Sequence, residues 1–380
     1  MKKILAMLLL ACMVLSLAAC GQQAAPAAPA EEPAAPAEDA APAEDAAPAE
    51  DAAPAEDAAP AEEPAPAEEP AAAAEYKLGM GVSLNMDSSK AGNAQVDATV
   101  AAVVLDAEGK IVAAKLDVAQ NKMDVTDGQV DTEKEFKTKA ELGDDYNMVK
   151  YSAATHEWYE QAAAFEAYVI GKTADEVAGI ETVVNDEGHN VVTDETLYAS
   201  CSISVSDFQD AIVKACNDEQ GQTFTAGEFT LGLAAISTAD ESVAATAEED
   251  GVVKMYTDFA AAVVDGEGKI IVALTDAVQP QIKIDAAGEI VEASFRGTKR
   301  ELKEDYNMVK FSNATLEWYE QAKNFVDYAA GKTADELRAA ETTLNDEGHQ
   351  VFADETLFAS VSISVDGLIN VVAKAADNAK

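Results

Sequence analysis

One domain is written twice in this chain, and each copy constrains what the other can fold into. Asp145-Tyr-Asn-Met-Val-Lys150 returns as Asp305 to Lys310, and Glu157-Trp-Tyr-Glu-Gln-Ala162 returns as Glu317 to Ala322. Gly171-Lys-Thr-Ala-Asp-Glu176 returns as Gly331 to Glu336, and Asn185-Asp-Glu-Gly-His189 as Asn345 to His349. From 145 to 205, 41 of 61 positions match their partners 160 residues on without a gap, so this is a duplication. Upstream the offset slips to 159, as at Gly109-Lys110-Ile111 against Gly268-Lys269-Ile270. A unit of about 145 residues is an ordinary domain size. The first copy is read as 76–220 and the second as 221–380, with the join in the polar stretch Asn217 to Thr225.

What precedes the copies has a different composition. Met1-Lys2-Lys3 is basic, and Ile4 to Ala19 is apolar but short for a membrane span. The run ends in Leu17-Ala18-Ala19-Cys20-Gly21, which resembles the bacterial lipobox. That resemblance implies a signal peptide over 1–19, an acylated Cys20 as the new N-terminus, and a lipid-anchored place on the extracytoplasmic face of the cell membrane. Acyl chains hold by burying CH₂ groups, each worth ~0.8 kcal/mol. Residues 20–75 then repeat Ala-Pro-Ala-Glu-Asp-Ala with almost no apolar side chain larger than Ala, so no core can form there. This disordered acidic linker reads as a stalk, which at ~3.1 Å per residue in a polyproline conformation could reach ~150 Å.

Net charge narrows the partners. The chain carries −44 overall, and 55 acids against 24 Lys and Arg fall at 76–380. Such a surface repels phosphate backbones, so nucleic acid is excluded as a partner. A protein partner is not identified by the sequence. Outside the leader and its end, the only Cys are Cys201 and Cys216, replaced by Val361 and Ala376 in the second copy. They read as small buried apolar residues, with a single disulfide as the alternative.

Within one copy, Tyr76 to Asn85 and Gln95 to Leu105 read as strands, Asp106-Ala-Glu-Gly109 as a turn, and Lys110 to Val118 as the return strand. Thr155 to Val169 spaces its apolar residues as a helix, which Gly171 stops. Thr173 with Glu176 three residues on is a capping box. Ala199 to Val205 alternates as a strand, and Ser206 is placed to cap a helix over Asp207 to Cys216. The expected fold is α+β: two tandem copies of a domain with an antiparallel sheet plus helices, after the disordered linker.

Few residues carry chemistry. His156 is replaced by Leu316 in the other copy, and His189 and His349 each end a turn, so no zinc spacing arises and no metal site is expected. Gly171-Lys172-Thr173 lacks the leading Gly of a P-loop and follows a helix where a strand is required. No Ser, Cys or Asp nucleophile has a nearby His in both copies, so no catalytic residue is assigned. Trp158-Tyr159 and Trp318-Tyr319 lie on the helical stripe; core packing is the first reading and a stacking platform the second. The strongest lead is a run of small hydroxyl residues before the last helix: Ser200, Ser202 and Ser204, repeated as Ser360, Ser362 and Ser364. Such a junction suits an anion at a helix N-terminus, and Ser alternating outward along a strand is the other reading.

In this order of parts the chain resembles the FMN-binding domain of extracytoplasmic electron-transfer proteins. That family has a Gly-Lys-Ile turn, matched by Gly109-Lys110-Ile111, and a helix ending in Gly-Lys, matched by Phe165 to Lys172. Its flavin-bearing Thr falls at Ser202 and Ser362. Ser200 and Ser360 stand where the family has Gly, and Thr196 and Thr356 where it has an acid, with Asp194 and Asp354 two places back. The resemblance therefore implies FMN held without a covalent link, serving electron transfer, or a fold that has lost its flavin. The alternative function is a non-catalytic surface module that binds a partner protein, a wall component or a small ligand.

Overall fold

The stretch Asn93–Leu105 buries both of its faces. Ala98, Val100, Ala102 and Val104 point to one side, Ala101, Val103 and Leu105 to the other, and all are buried. A strand covered on both sides requires a layer on each. The computed structural model describes residues 73–380; the leader, Cys20 and all but the last three residues of the linker lie outside the described residues.

The first copy runs β1 (Ala74–Asn85), β2 (Asn93–Leu105), β3 (Ile111–Asp124), α1 (Lys139–Leu142), α2 (Met148–Tyr151), α3 (Trp158–Val169), α4 (Ala174–Ala178), β4 (Thr182–Val184), β5 (Asn190–Val192), α5 (Glu195–Tyr198) and α6 (Ser206–Cys216). The second begins with β6 (Gln222–Ala226), β7 (Thr230–Thr238), β8 (Gly251–Val253), β9 (Tyr256–Val264), β10 (Ile270–Val278), β11 (Gln281–Ile284) and β12 (Ile290–Ser294). It continues with α7 (Lys299–Leu302), α8 (Met308–Phe311), α9 (Trp318–Ala329), α10 (Ala334–Arg338), β13 (Thr342–Leu344), β14 (Gln350–Phe352), α11 (Glu355–Ser360) and α12 (Asp366–Asn378). The fold is α+β with antiparallel sheets.

The first sheet has the order β3-β2-β1-β6, so a strand from beyond the join completes the sheet of the first copy, with Ala74 opposite Ala226. The second sheet is β10-β9-β7. Where β3 runs unbroken, its counterpart is divided at Gln279-Pro280 into β10 and β11. Proline has no N–H to give a ladder, so the strand breaks there. The segment β11 then forms a separate small sheet between β8 and β12.

The two main sheets pack face to face. Leu78, Val82, Val100 and Val104 of the first meet Leu231, Leu233, Phe259 and Val263 of the second in one core. Their outer faces carry α3 and α6 on the first copy, and α9 and α12 on the second. The layers run helix, sheet, sheet, helix. The copies also exchange matched contacts. Lys214 on α6 donates to Val82 O (2.8 Å) and Glu301 (3.1 Å), while Lys374 on α12 donates to Ala235 O (2.8 Å) and pairs with Glu141 (2.6 Å). The buried Arg300–Asp218 pair at 3.0 Å has no mirror, since Ala140 stands where Arg300 does.

Two expectations are corrected. Ala199 to Val205 is irregular chain between α5 and α6, not a strand. Asp194 accepts the N–H groups of Thr196 and Leu197 and starts a helical turn that consumes the front of this stretch. Ser206 is the first helical residue; Val205 is the cap and supplies no side-chain bond. The Thr173–Glu176 capping box forms in both directions. Cys201 and Cys216 are free and buried, and burial pushes their thiols up to about 12 and about 11.

Candidate functional site

The site grows from a buried carboxylate in each copy. Asp117 on β3 accepts the N–H of Val118 (2.7 Å) and of Ala140 (3.1 Å). Burial raises its ionisation above the ordinary range, and the Thr138 hydroxyl and these N–H groups pull it back down. Thr138 caps α1 with Glu141 as its box partner. The clamp and the cap together fix the first residue of α1, Lys139. Asp276 repeats this with Arg300 N–H (3.0 Å) and Ala277 N–H (2.8 Å), below the Thr298 cap; burial pushes its carboxyl up to about 6.

Each clamp aims a lysine at two aromatic rings. The Lys139 ammonium stands 5.2 Å from the Tyr146 ring centre and 5.6 Å from that of Trp158. Lys299 stands 5.3 Å from Tyr306 and 5.0 Å from Trp318. Trp158 is buried and meets Phe208 edge-on at 5.8 Å, so the first reading for this Trp, core packing, describes most of its surface. Tyr159 is exposed, and its hydroxyl donates to Asp144 at 3.2 Å. Desolvation lowers the affinity of Lys139 for its proton, opposed by the fields of Asp97, Asp207 and Asp117.

Around Lys139 opens a cleft of about 640 Å³, walled by Tyr146, Trp158 and Phe208 and lined by Asp97, Asp207 and Ser202. Its rim includes Asp186, Glu187 and His189 from the β4–β5 turn. That turn is held by Asn185, whose side-chain oxygen accepts the His189 N–H at 2.8 Å. His156 lies 3.9 Å from Glu160. Among the described residues no group of three potential ligands gathers for a metal.

The Ser-rich junction reaches this cleft, and its polar groups are largely taken by the chain itself. Ser202 donates both N–H (2.9 Å) and hydroxyl (3.4 Å) to Gln161, and Ser362 donates both to Gln321 (2.7 and 3.2 Å). Ser200 and Ser360 donate to Leu197 O (3.1 Å) and Leu357 O (3.0 Å). Ser364 donates to Asp366 at 2.8 Å, and Ser204 lines the cleft. Asp207 and Asp366 occupy the first turns of the two helices that follow. A flavin phosphate would need these donors free and these carboxylates absent, so the residues present do not fit the phosphate of FMN.

The Gly-Lys pairs have a structural use. Gly171 N–H donates to Ile111 O (2.7 Å) and Ile111 N–H to Lys172 O (2.9 Å), and Gly331, Ile270 and Lys332 repeat the exchange. These bonds tie the end of α3 to the start of β3. The sequence reading missed Lys139, Lys299, Asp97 and Asp207. A signal was present: Thr138-Lys139 with Glu141-Leu142 recurs as Thr298-Lys299 with Glu301-Leu302. No protein-family model, no curated protein and no solved structure matches this chain.

Proposed function

We propose that the chain is a lipid-anchored, extracytoplasmic binding protein with no catalytic role, and that its first copy holds a small organic ligand in the cleft at Lys139. The cleft carries this reading. It has the volume of a small-molecule site, aromatic walls, and a few charged groups that converge on one space. The anchor rests on the basic start, the apolar run and the small residues before Cys20. Electron transfer through FMN is the weaker reading, because the junction's donors are engaged and acidic groups stand beside them.

Two measurements test it. Cells expressing the full chain are fed a labelled fatty acid: label on the wild type and none on Cys20→Ser is expected, and equal label on both would overturn the anchor. The detergent-solubilised chain is then screened against a broad set of small metabolites, FMN included, by thermal shift. At least one ligand whose shift disappears in Lys139→Met is expected. A retained flavin absorbance band would reinstate the electron-transfer reading.

A further inference from the structure

We propose that the ligand of the first copy's cleft is a small zwitterion, an amino acid or a short peptide, whose carboxylate meets Lys139 and whose amine meets Asp207 and Asp97. This rests on the reading of the cleft as a ligand site.

The cleft holds opposite charges that form no direct ion pair with each other. Among the described residues the Lys139 ammonium makes no hydrogen bond and no ion pair within 4.0 Å; the faces of Tyr146 and Trp158 are its recorded neighbours. An ammonium has three donors, and aromatic faces attract the charge without filling them as an oxygen would. Asp97 takes the side-chain N–H of Gln95 on one oxygen at 2.7 Å, and its other oxygen is buried without a partner. That carboxylate is short of donors, which favours an N–H or ammonium arriving from the cleft it lines. Asp207 is exposed at the start of α6 and lines the same space.

Ligands of one sign are disfavoured. A simple anion would meet Asp97, Asp207, Asp186 and Glu187, whereas a simple cation would meet an ammonium already seated on the rings. A molecule with both charges answers both groups, and each charge-assisted bond is roughly twice as strong as a neutral one. The second copy has Tyr256 in place of Asp97 and Gly367 in place of Asp207. Asp258 there sits 3.0 Å from where a Gly367 side chain would begin. Asp258 stands near Lys299 and Asp366 instead, but the cleft itself opens in the first copy, so one zwitterion per chain is expected.

The test is calorimetric titration of the detergent-solubilised full chain with the common free amino acids and their dipeptides with glycine. The best binder is then compared with its N-acetyl and C-terminal amide derivatives. Binding near one equivalent is expected, with a loss of tenfold or more for each derivative. Lys139→Met should lose most against the parent and little against the amide, and Asp207→Asn should lose most against the parent and little against the N-acetyl form. Lys299→Met should leave affinity unchanged, and melting curves of each variant separate lost binding from lost folding. If no amino acid or dipeptide binds while another metabolite binds in a Lys139-dependent way, the zwitterion is wrong and the cleft stands. If nothing binds, both readings fall.

Discussion

Gly79 and Gly232 show how little room single positions leave. A methyl group on either would overlap a helix carbonyl oxygen, that of Ala215 for Gly79 and of Ala375 for Gly232. Both obstacles are backbone, so the helix would have to lift from its sheet. Overpacking of this kind costs about 1–3 kcal/mol or more. Gly79→Ala and Gly232→Ala should each lower the denaturant midpoint by that order, whereas Gly109→Ala, in an open turn at φ +75°, should lose only the smaller cost of a left-handed backbone. Glu166 acts differently. Its carboxylate accepts the Leu116 N–H at 2.6 Å, and burial pushes it up to about 7, opposed by that bond and by Lys115. The unfolded group would ionise near 4.5, so the folded chain holds a proton that the unfolded chain releases. Its stabilising effect is full below about 4.5 and lost as pH rises through about 7. Glu166→Gln keeps the acceptor without the charge. It should raise stability at pH 8 by on the order of 2–3 kcal/mol and change it little near pH 4.5, as read from thermal melts.

Between elements, one buried glutamine in each copy does what the expected strand could not. Gln161 on α3 accepts from Ser202 and donates to His156 O (2.8 Å), which pins the irregular chain before α6 to the helix beneath it. Gln321 accepts a third bond, from Ile363 N–H at 3.2 Å. Replacing either by leucine strands backbone donors, each worth about 1–3 kcal/mol when buried and unpaired. Gln321→Leu is therefore expected to cost more than Gln161→Leu in denaturant titrations. Glu157 and Glu317 belong to the same economy of small helices, each accepting two N–H groups at the start of α2 or α8. The repeated Glu-Trp-Tyr-Glu-Gln motif thus reads as cap, core, surface, cap and tie.

The two copies share one interior. Leu78, Val82, Val100 and Val104 pack in one core with the other copy's sheet, and β6 crosses the join to complete the first sheet. Residues 73–380 should unfold in a single transition, with calorimetric and van't Hoff enthalpies that agree. A chain ending at Asn217 would expose that apolar face and lose β6, so it should self-associate or fail to fold, which sedimentation would show. Replacing Lys214 or Lys374 by Met should cost on the order of 1–2 kcal/mol each, since the partly exposed ion pair contributes little and the carbonyl of Val82 or Ala235 loses its donor.

The duplication, the capping boxes, the α3 and α9 helices and the antiparallel hairpins were legible because they depend on short-range rules: spacing, capping and turn chemistry. The Ser-rich junction was not, since alternating apolar residues describe a strand only if a neighbouring strand exists to pair with it. Here Gln161, about forty residues earlier in the chain, supplies the bonds instead. Lys139 was also hidden. A lysine at the start of a one-turn helix is ordinary in sequence, and its meaning arises where Asp117, Trp158, Asp97 and Asp207 meet it from four other segments. The sequence by itself determined that one α+β unit is used twice, because local pattern survives in both copies. Only the tertiary structure decided that the sheets cover each other and that a cleft opens at Lys139, because both follow from contacts between residues far apart in the chain.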